Sequence, residues 1–575
     1  MRGTVAALLL LLALGSPSGA QAPRAGFGRH AVASDHALAS AAGAELLAGG
    51  GNAADAAAAT MLTLGVVSPG SSGLGGGGFA LYYEASSGTV TFLDFREAAP
   101  AAATPDMFDA APPDAAPPDA GPASTPSQLG GLATGVPGEP AGIAELVRRF
   151  GSRPLSEIAA PAIRHAERGF EVTPYLAALS VPFAEQMGRD PLLRSWLDDG
   201  SRPLRPGQSI RNRALARTLR AFASSGANPF YRGVIAREIV RQNRRAGGLL
   251  AGEDLARYRV IERAPLSGQH LGLRWVTAPP PSAGGYTLLS SLALLEHWIP
   301  ESHRASARGD ALMHAFAESW KGAFWDRARY FGDPDHATVP VDALLSSERA
   351  ALRSRTFRPA LAIPVEAWGT PLGPHAPAPS RPPGTQGTSH LCVVDSAGNV
   401  AAVTTTVNLP FGARYTAAGM VMNDEMDDFA SALGAANAFG LPGGPANQPG
   451  PGKRPVSSMT PTIVFDGDRP VLCIGAAGGS RIPTAVVQVA WHVLMGGLDP
   501  AAAIARPRVH HQGIPRELSV EEAFPPDDRD VTMLRARGHV IEIVHHSAVV
   551  QVIQLTGGRL LAASDPRKGG APAGE

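Results

Sequence analysis

The spacing of hydrophobic positions changes character along this chain. Residues 30–50 are rich in Ala and Leu at helical spacing and stop at Gly49-Gly50-Gly51. Asn52 then stands where it caps a second helix running to about Val66. A Gly/Ser loop over 69–78 gives way to two alternating runs, 79–83 and 89–95, joined through Ser86-Ser87-Gly88, the pattern of a hairpin. From 142 to about 309 helical patterns dominate, and 310–331 form one long amphipathic helix that ends before Gly332-Asp333-Pro334-Asp335. A period of two returns after residue 387. Residues 390–394 and 399–407 alternate like paired strands around Asp395-Ser396-Ala397-Gly398, and 462–466 pair in the same way with 471–474. Residues 482–494 read as a helix, another lies near 528–537, and strands at 539–544, 548–555 and 559–563 close the chain. Strands, helices, then strands again predict sheets packed between helical layers, an α+β sandwich.

Two stretches break the pattern. Residues 110–126 are Ala/Pro/Asp low complexity, expected to be a disordered surface insertion, and 365–387 are Pro/Gly-rich, expected to be an exposed linker.

Composition narrows the function classes. The chain has 575 residues, 44% hydrophobic and 17% charged, long enough for a large core or for two or three domains. Lys+Arg and Asp+Glu are 50 each, so it lacks the charge footprint of a protein that binds nucleic acid or an anionic membrane. Arg2, the apolar run 5–14 and Ser18-Gly19-Ala20 make residues 1–20 a signal peptide, which implies export to the periplasm or the medium. No Cys follows the signal, and no later segment is long and apolar enough to span a membrane. Cys392 and Cys473 are the only cysteines and read as buried free thiols.

Against this background the Gly387–Thr388 bond matters most. Cutting it would make Thr388 an amino-terminal residue that carries nucleophile and base together. Its Oγ1 attacks, and its own α-amine, with a pKa of roughly 7.7–8.0, takes the proton. A threonine after glycine is common, and Thr385 after Gly384 is of the same type. Thr388 differs because it begins a strong strand pattern directly after the linker. Gly387 offers an unhindered carbonyl, and the β-branch of Thr388 restricts its Oγ1 rotamer.

From Thr388 onward the chain resembles the small-subunit start of γ-glutamyltransferases, also called glutathione hydrolases. The resemblance is carried by Thr388-Ser389-His390, Gly398-Asn399, Thr404-Thr405-Thr406-Val407-Asn408, Asn423 to Phe429, Lys453 to Met459, Gly478-Gly479-Ser480-Arg481 and Ala563-Ser564-Asp565-Pro566-Arg567. Upstream, Gly50 to Ala56, Ser71 to Phe79, Phe95-Arg96-Glu97, Gly135 to Gly138 and Pro281 to Gly285 also match. The ordered set runs from about residue 30 to 571.

The resemblance implies the N-terminal nucleophile hydrolase fold, an αββα sandwich formed jointly by a large chain, 21–387, and a small chain, 388–575, after self-cleavage. It implies that Thr388 attacks the γ-amide of glutathione or another γ-glutamyl compound. The acyl group then passes to water or to an amino-acid or dipeptide acceptor. Thr406 corresponds to the family's second threonine, which hydrogen-bonds the nucleophile, and Gly478 and Gly479 to the oxyanion site. Arg96 corresponds to the carboxylate fork, Glu425 and Asp428 to acceptors of the ammonium with Asn408 beside them, and Ser457 and Ser458 to hydroxyls on the α-carboxylate. Ala477 stands where the family usually has Pro, and some members have Gln at the position of Glu425. Within residues 430–452, Phe439-Gly440-Leu441-Pro442 is placed to act as a lid.

No cofactor or metal is implied. Gly75 to Gly78 lacks the Lys-Ser/Thr ending of a phosphate loop and leads into a strand. His510-His511 and His545-His546 lack helical two-His spacing with a Glu, and Met426 interrupts the acidic run 424–428. Two further readings stand beside the first. One is an acylase for glutaryl β-lactams or an enzyme processing poly-γ-glutamate; the other is a non-cleaving secreted scaffold.

Overall fold

The computed structural model describes residues 24–108, 125–369, 387–524 and 528–575. At its centre two seven-stranded sheets, antiparallel throughout, are stacked face to face. The first runs Ala573–Gly574, Ala31–Ser34, Gly387–Val394, Val400–Asn408, Gly77–Glu84, Thr89–Phe95, Ile261–Arg263. The second runs Arg24–Phe27, Arg559–Ser564, Val549–Thr556, Arg469–Ala477, Thr462–Asp466, Leu273–Thr277, Leu266–His270.

Alternation sorts the side chains. On Gly387–Val394, Leu391 and Val393 face the layer that holds helices Ala37–Ala48 and Ala53–Val67, while Cys392 and Val394 join the core shared with the second sheet. Each such aliphatic side chain, fully buried, contributes about 1.5–3 kcal/mol. Asn52 starts the second helix with a capping box: its side chain accepts from the Ala54 and Asp55 amides, and Asp55 accepts from the Asn52 amide at 3.0 Å. The two helices approach closely because Gly43 has no Cβ; one added there would lie 2.4 Å from Thr60 Oγ1. Helices Gly284–Trp298, Gly309–Tyr330 and Ile482–Leu494 pack in the core cluster on the far side of the second sheet. The result is helix, sheet, sheet, helix, as the sequence pattern predicts.

Several expectations need correction. Residues 30–50 are not helical throughout: Ala31–Ser34 is a strand, held by Val394 to Leu391 on one side and by Ala573–Gly574 on the other. The stretch 142–309 contains the strands Ile261–Arg263, Leu266–His270 and Leu273–Thr277. The 365–387 stretch is not simply an exposed linker. Val365 and Trp368 are buried in a short 3-10 turn, and Gly387 is a buried strand residue. The proposed cut therefore lies inside the fold. Residues 110–124 of the low-complexity insertion and 370–386 of the linker lie outside the described residues, as do residues 1–23 with the signal peptide. Cys392 and Cys473 are buried and unbridged.

Candidate active site

Two adjacent strands build the surroundings of Thr388, the expected nucleophile. Thr388 pairs with Thr406, and Gly387 with Asn408, so one extra residue on the Val400–Asn408 strand makes a bulge at the Gly387–Thr388 bond. Asn408 takes a left-handed conformation, φ 73°. Gly387 is sterically required: an added Cβ would meet the Leu409 carbonyl oxygen at 2.5 Å and that of Gly70 at 3.0 Å.

The bulge aligns three oxygens. Thr406 Oγ1 donates its proton to the Gly387 carbonyl at 2.7 Å. It accepts from the Asn408 amide at 2.8 Å. Thr388 Oγ1 lies 3.0 Å away. A hydroxyl has one proton and two lone pairs, so Thr388 must be the donor in that last bond. The chain Thr388 O–H to Thr406 O–H to the Gly387 carbonyl is thus complete, and all of it is buried.

His390, two residues on and on the same strand face, is not a competing base. Nδ1 bonds Thr404 Oγ1 at 2.8 Å, Nε2 lies 3.5 Å from Cys392 Sγ, and burial pulls its pKa down to about 3. From the other side Lys568 Nζ donates to the Thr388 carbonyl at 2.6 Å and to Asp35 at 2.7 Å, and Gln551 holds the second Asp35 oxygen at 2.7 Å. Burial opposes both charges, pushing Asp35 up and Lys568 down. Sequence analysis missed this clamp. Its one available signal was that Lys568 directly follows the Ala563 to Arg567 motif.

Arg96, Thr388, Thr406, Asn408, Glu425 and Asp428 line one small pocket, together with Phe439, Ser457, Ser458 and Gly479. The structure therefore gathers the predicted site residues, with Gly478 adjacent. Arg96 is 1% exposed, and it pairs with Glu425 and Asp428 rather than with solvent. Asp428 is held further by Asn437, and Asn408 Nδ2 donates to the Asp424 carbonyl at 2.9 Å. Ser457 Oγ accepts from the Met459 amide at 3.1 Å.

Gly478 and Gly479 follow the strand Arg469–Ala477 and precede the helix Ile482–Leu494, where amides at the helix start have no intrahelical partner. Gly479 has φ 56°, and a Cβ there would sit 2.6 Å from the Phe439 ring. Gly479→Ala is expected to strain this turn, push Phe439 off the pocket and cut turnover by about tenfold or more. Steady-state kinetics on the folded variant check this, and unchanged kcat would show that the turn does not shape the reaction.

His314, Glu318 and His539 bring potential metal ligands within 4.8 Å of one another. Lys321 already matches the Glu318 charge at 2.6 Å, and the two imidazoles bond each other at 2.8 Å. A divalent ion would add charge beside a buried ammonium, so the cluster reads as a hydrogen-bonded network. His510 is likewise engaged, by Thr484 and Gln512. Among the described residues no helix is long and apolar enough to cross a membrane.

Solved structures share this architecture. Cephalosporin acylase from Bacillus halodurans superposes with a TM-score of 0.81 at 28% identity, covering 98% of both chains. Helicobacter pylori gamma-glutamyltranspeptidase gives 0.53 at 33% identity over 58% of this chain and 92% of its own. Two stacked sheets between helical layers, in company with these structures, define an N-terminal nucleophile hydrolase fold. The chain belongs to the gamma-glutamyltranspeptidase family, whose model matches residues 39–575. It is 37% identical over 543 residues to the glutathione hydrolase proenzyme of Escherichia coli (strain K12), covering 93% of this chain and 90% of that one.

Proposed function

We propose that this chain is an exported γ-glutamyltransferase and glutathione hydrolase. It is made as a precursor that cuts itself at Gly387–Thr388 into a large chain, 21–387, and a small chain, 388–575, which remain a heterodimer. The observation that carries the reading is the buried relay from Thr388 Oγ1 through Thr406 to the Gly387 carbonyl. A bond enclosed in this way is poorly placed for an external protease, which favours self-cleavage.

In processing, Thr388 Oγ1 gives up its proton and bonds to the Gly387 carbon, while Thr406 donates to the oxygen that becomes negative. The carbon–nitrogen bond breaks and the nitrogen takes a proton. That leaves Gly387 as an ester on Oγ1 with a free α-amine, and water opens the ester.

In turnover the α-amine accepts the Oγ1 proton and Oγ1 attacks the γ-carbon of the donor. The Gly478 and Gly479 amides would hydrogen-bond the oxyanion. The leaving amine departs with a proton, and water or an acceptor amine takes the γ-glutamyl group. The zwitterionic end of the donor fits the pocket because its carboxylate can replace the acids on Arg96 while its ammonium takes Glu425 and Asp428.

The likeness to a cephalosporin acylase supports a second reading, glutaryl transfer. Glu425 and Asp428 argue against it, since a glutaryl group has no α-amine. The discriminating experiment compares γ-glutamyl- and glutaryl-p-nitroanilide on purified protein, with amino-terminal sequencing of both bands on a denaturing gel. The expected result is a fragment beginning Thr-Ser-His-Leu and a kcat/KM at least about 100-fold higher for the γ-glutamyl anilide. A glutaryl preference would reject the substrate class, and a single uncut band would favour the scaffold reading.

A further inference from the structure

The glutamyl-end cluster holds more buried carboxylate than its guanidinium can serve. Arg96 directs Nη1 to Glu425 Oε1, Nη2 to Asp428 Oδ2 at 2.5 Å and Nε to the Pro455 carbonyl at 3.3 Å. Glu97 is fully buried, and its contact with Arg96 Nη1 is long, 3.9 Å. Among the described residues, neither Glu97 oxygen has a partner in good hydrogen-bond geometry, its own backbone amide lending only partial support, and Glu425 Oε2 is also left without a donor. The two carboxyl groups border the same guanidinium nitrogen, Arg96 Nη1.

Two ionised carboxylates are costly in such a site, because Arg96 serves only Glu425 Oε1 and the other three oxygens lack a donor. One proton removes a charge and provides the missing donor.

We propose that in the substrate-free protein Glu97 and Glu425 hold one proton between them, and that the α-ammonium of a γ-glutamyl donor displaces it to solvent on binding. The inference rests on the γ-glutamyl reading of this pocket and deepens it. After exchange, the three ammonium protons serve Glu97, Glu425 and Asp428, so each ionised carboxylate has a donor, and Arg96 turns to the α-carboxylate. A glutaryl group brings no cation to exchange for the proton, so the pair also discriminates between donor classes.

The surroundings agree. Burial pushes Glu97 up to about 7, with Arg96 opposing, and Glu425 is pushed up in the same way. Asp428 and Asp424 from the Glu425 turn add negative charge, and Asp424 is itself paired with Arg414. Glu139, raised to about 8 by burial and accepting from Thr405, lies near Glu97, and Tyr258 is pushed up by burial. Arg327 is a further buried cation, facing Asp428 and Arg96, and Arg454 lies over the Tyr258 ring.

The sign follows from exchange: binding releases a proton, so affinity falls as pH drops below the pair's titration. Titration calorimetry of L-glutamate into the processed protein at about pH 6, below the pair's titration, in buffers of different ionisation enthalpy, is expected to show release of roughly one proton per site. The donor KM is expected to climb toward about tenfold per pH unit below about pH 7. In Glu97→Gln the carboxamide can donate to Glu425 in the proton's place, so release should vanish and the KM profile flatten. If that variant does not fold, Glu425→Gln makes the same test from the other side. Glutamate binding with no proton release in the wild type, or with release unchanged in the variant, overturns the proposal. Failure of glutamate to bind overturns the reading of the pocket, and this inference with it.

Discussion

Thr388→Ala is expected to remain one uncut chain and to release no p-nitroaniline from γ-glutamyl-p-nitroanilide, a loss on the order of 10⁴- to 10⁶-fold, the scale set by removing a covalent nucleophile. The substitution deletes one hydroxyl and one methyl at a buried strand position whose backbone is held by pairing to Thr406 and by Lys568 on its carbonyl. The fold should therefore survive, with a thermal midpoint within a few degrees of the wild type. Thr388→Ser keeps the oxygen and loses the β-branch that restricts its rotamer, so it should still process, more slowly. A denaturing gel over time and a chromogenic assay read both variants. Efficient turnover by the alanine variant would reject Thr388 as nucleophile.

The second large effect is expected at Thr406. Thr406→Val keeps the shape of the side chain and removes the oxygen that touches three groups. The Gly387 carbonyl loses its donor, Thr388 Oγ1 loses its acceptor, and the Asn408 amide is left buried without a partner. An orphaned buried amide costs about 1–3 kcal/mol of stability. Loss of the donor on the developing oxyanion is expected to slow processing by about 100- to 1,000-fold. Thr406→Ser restores the oxygen and should restore cutting, which separates the missing hydrogen bond from a packing defect. The half-time of conversion of purified precursor into two chains is the measurement. Wild-type speed in the valine variant would mean that the observed relay has no part in the cut.

Local features were the legible ones. The helix Ala53–Val67 announces itself through Asn52 and Asp55, which cap it within one turn. The hairpin Gly77–Glu84 to Thr89–Phe95 and the helix Ile482–Leu494 follow from period and flanking residues alone. The strands between 261 and 277 escaped because only the last carries fully buried residues; the first two alternate between half-buried and exposed, but their half-buried positions hold Arg263, Gly268 and His270 as well as Ile261 and Leu266, so the sequence shows no apolar period. Ala31–Ser34 escaped because Ala and Ser carry little strand preference, and its pairing partners lie hundreds of residues downstream.

The amino-acid order already carries the nucleophile candidate, the glycine before it, the candidate oxyanion glycines and the polar set around Arg96, since each is a matter of residue type and near neighbours. Three-dimensional packing alone settles which charges meet. Arg96 reaches Asp428 across 332 positions, and Lys568 reaches the Thr388 carbonyl across 180. It also turns the expected surface cut into a buried, bulged peptide bond whose carbonyl is already hydrogen-bonded. The physical reason is common to all of these. Hydrogen bonds and ion pairs act over a few ångströms, and which distant groups come that close is decided by how two sheets and their helices stack, not by the residues beside each group.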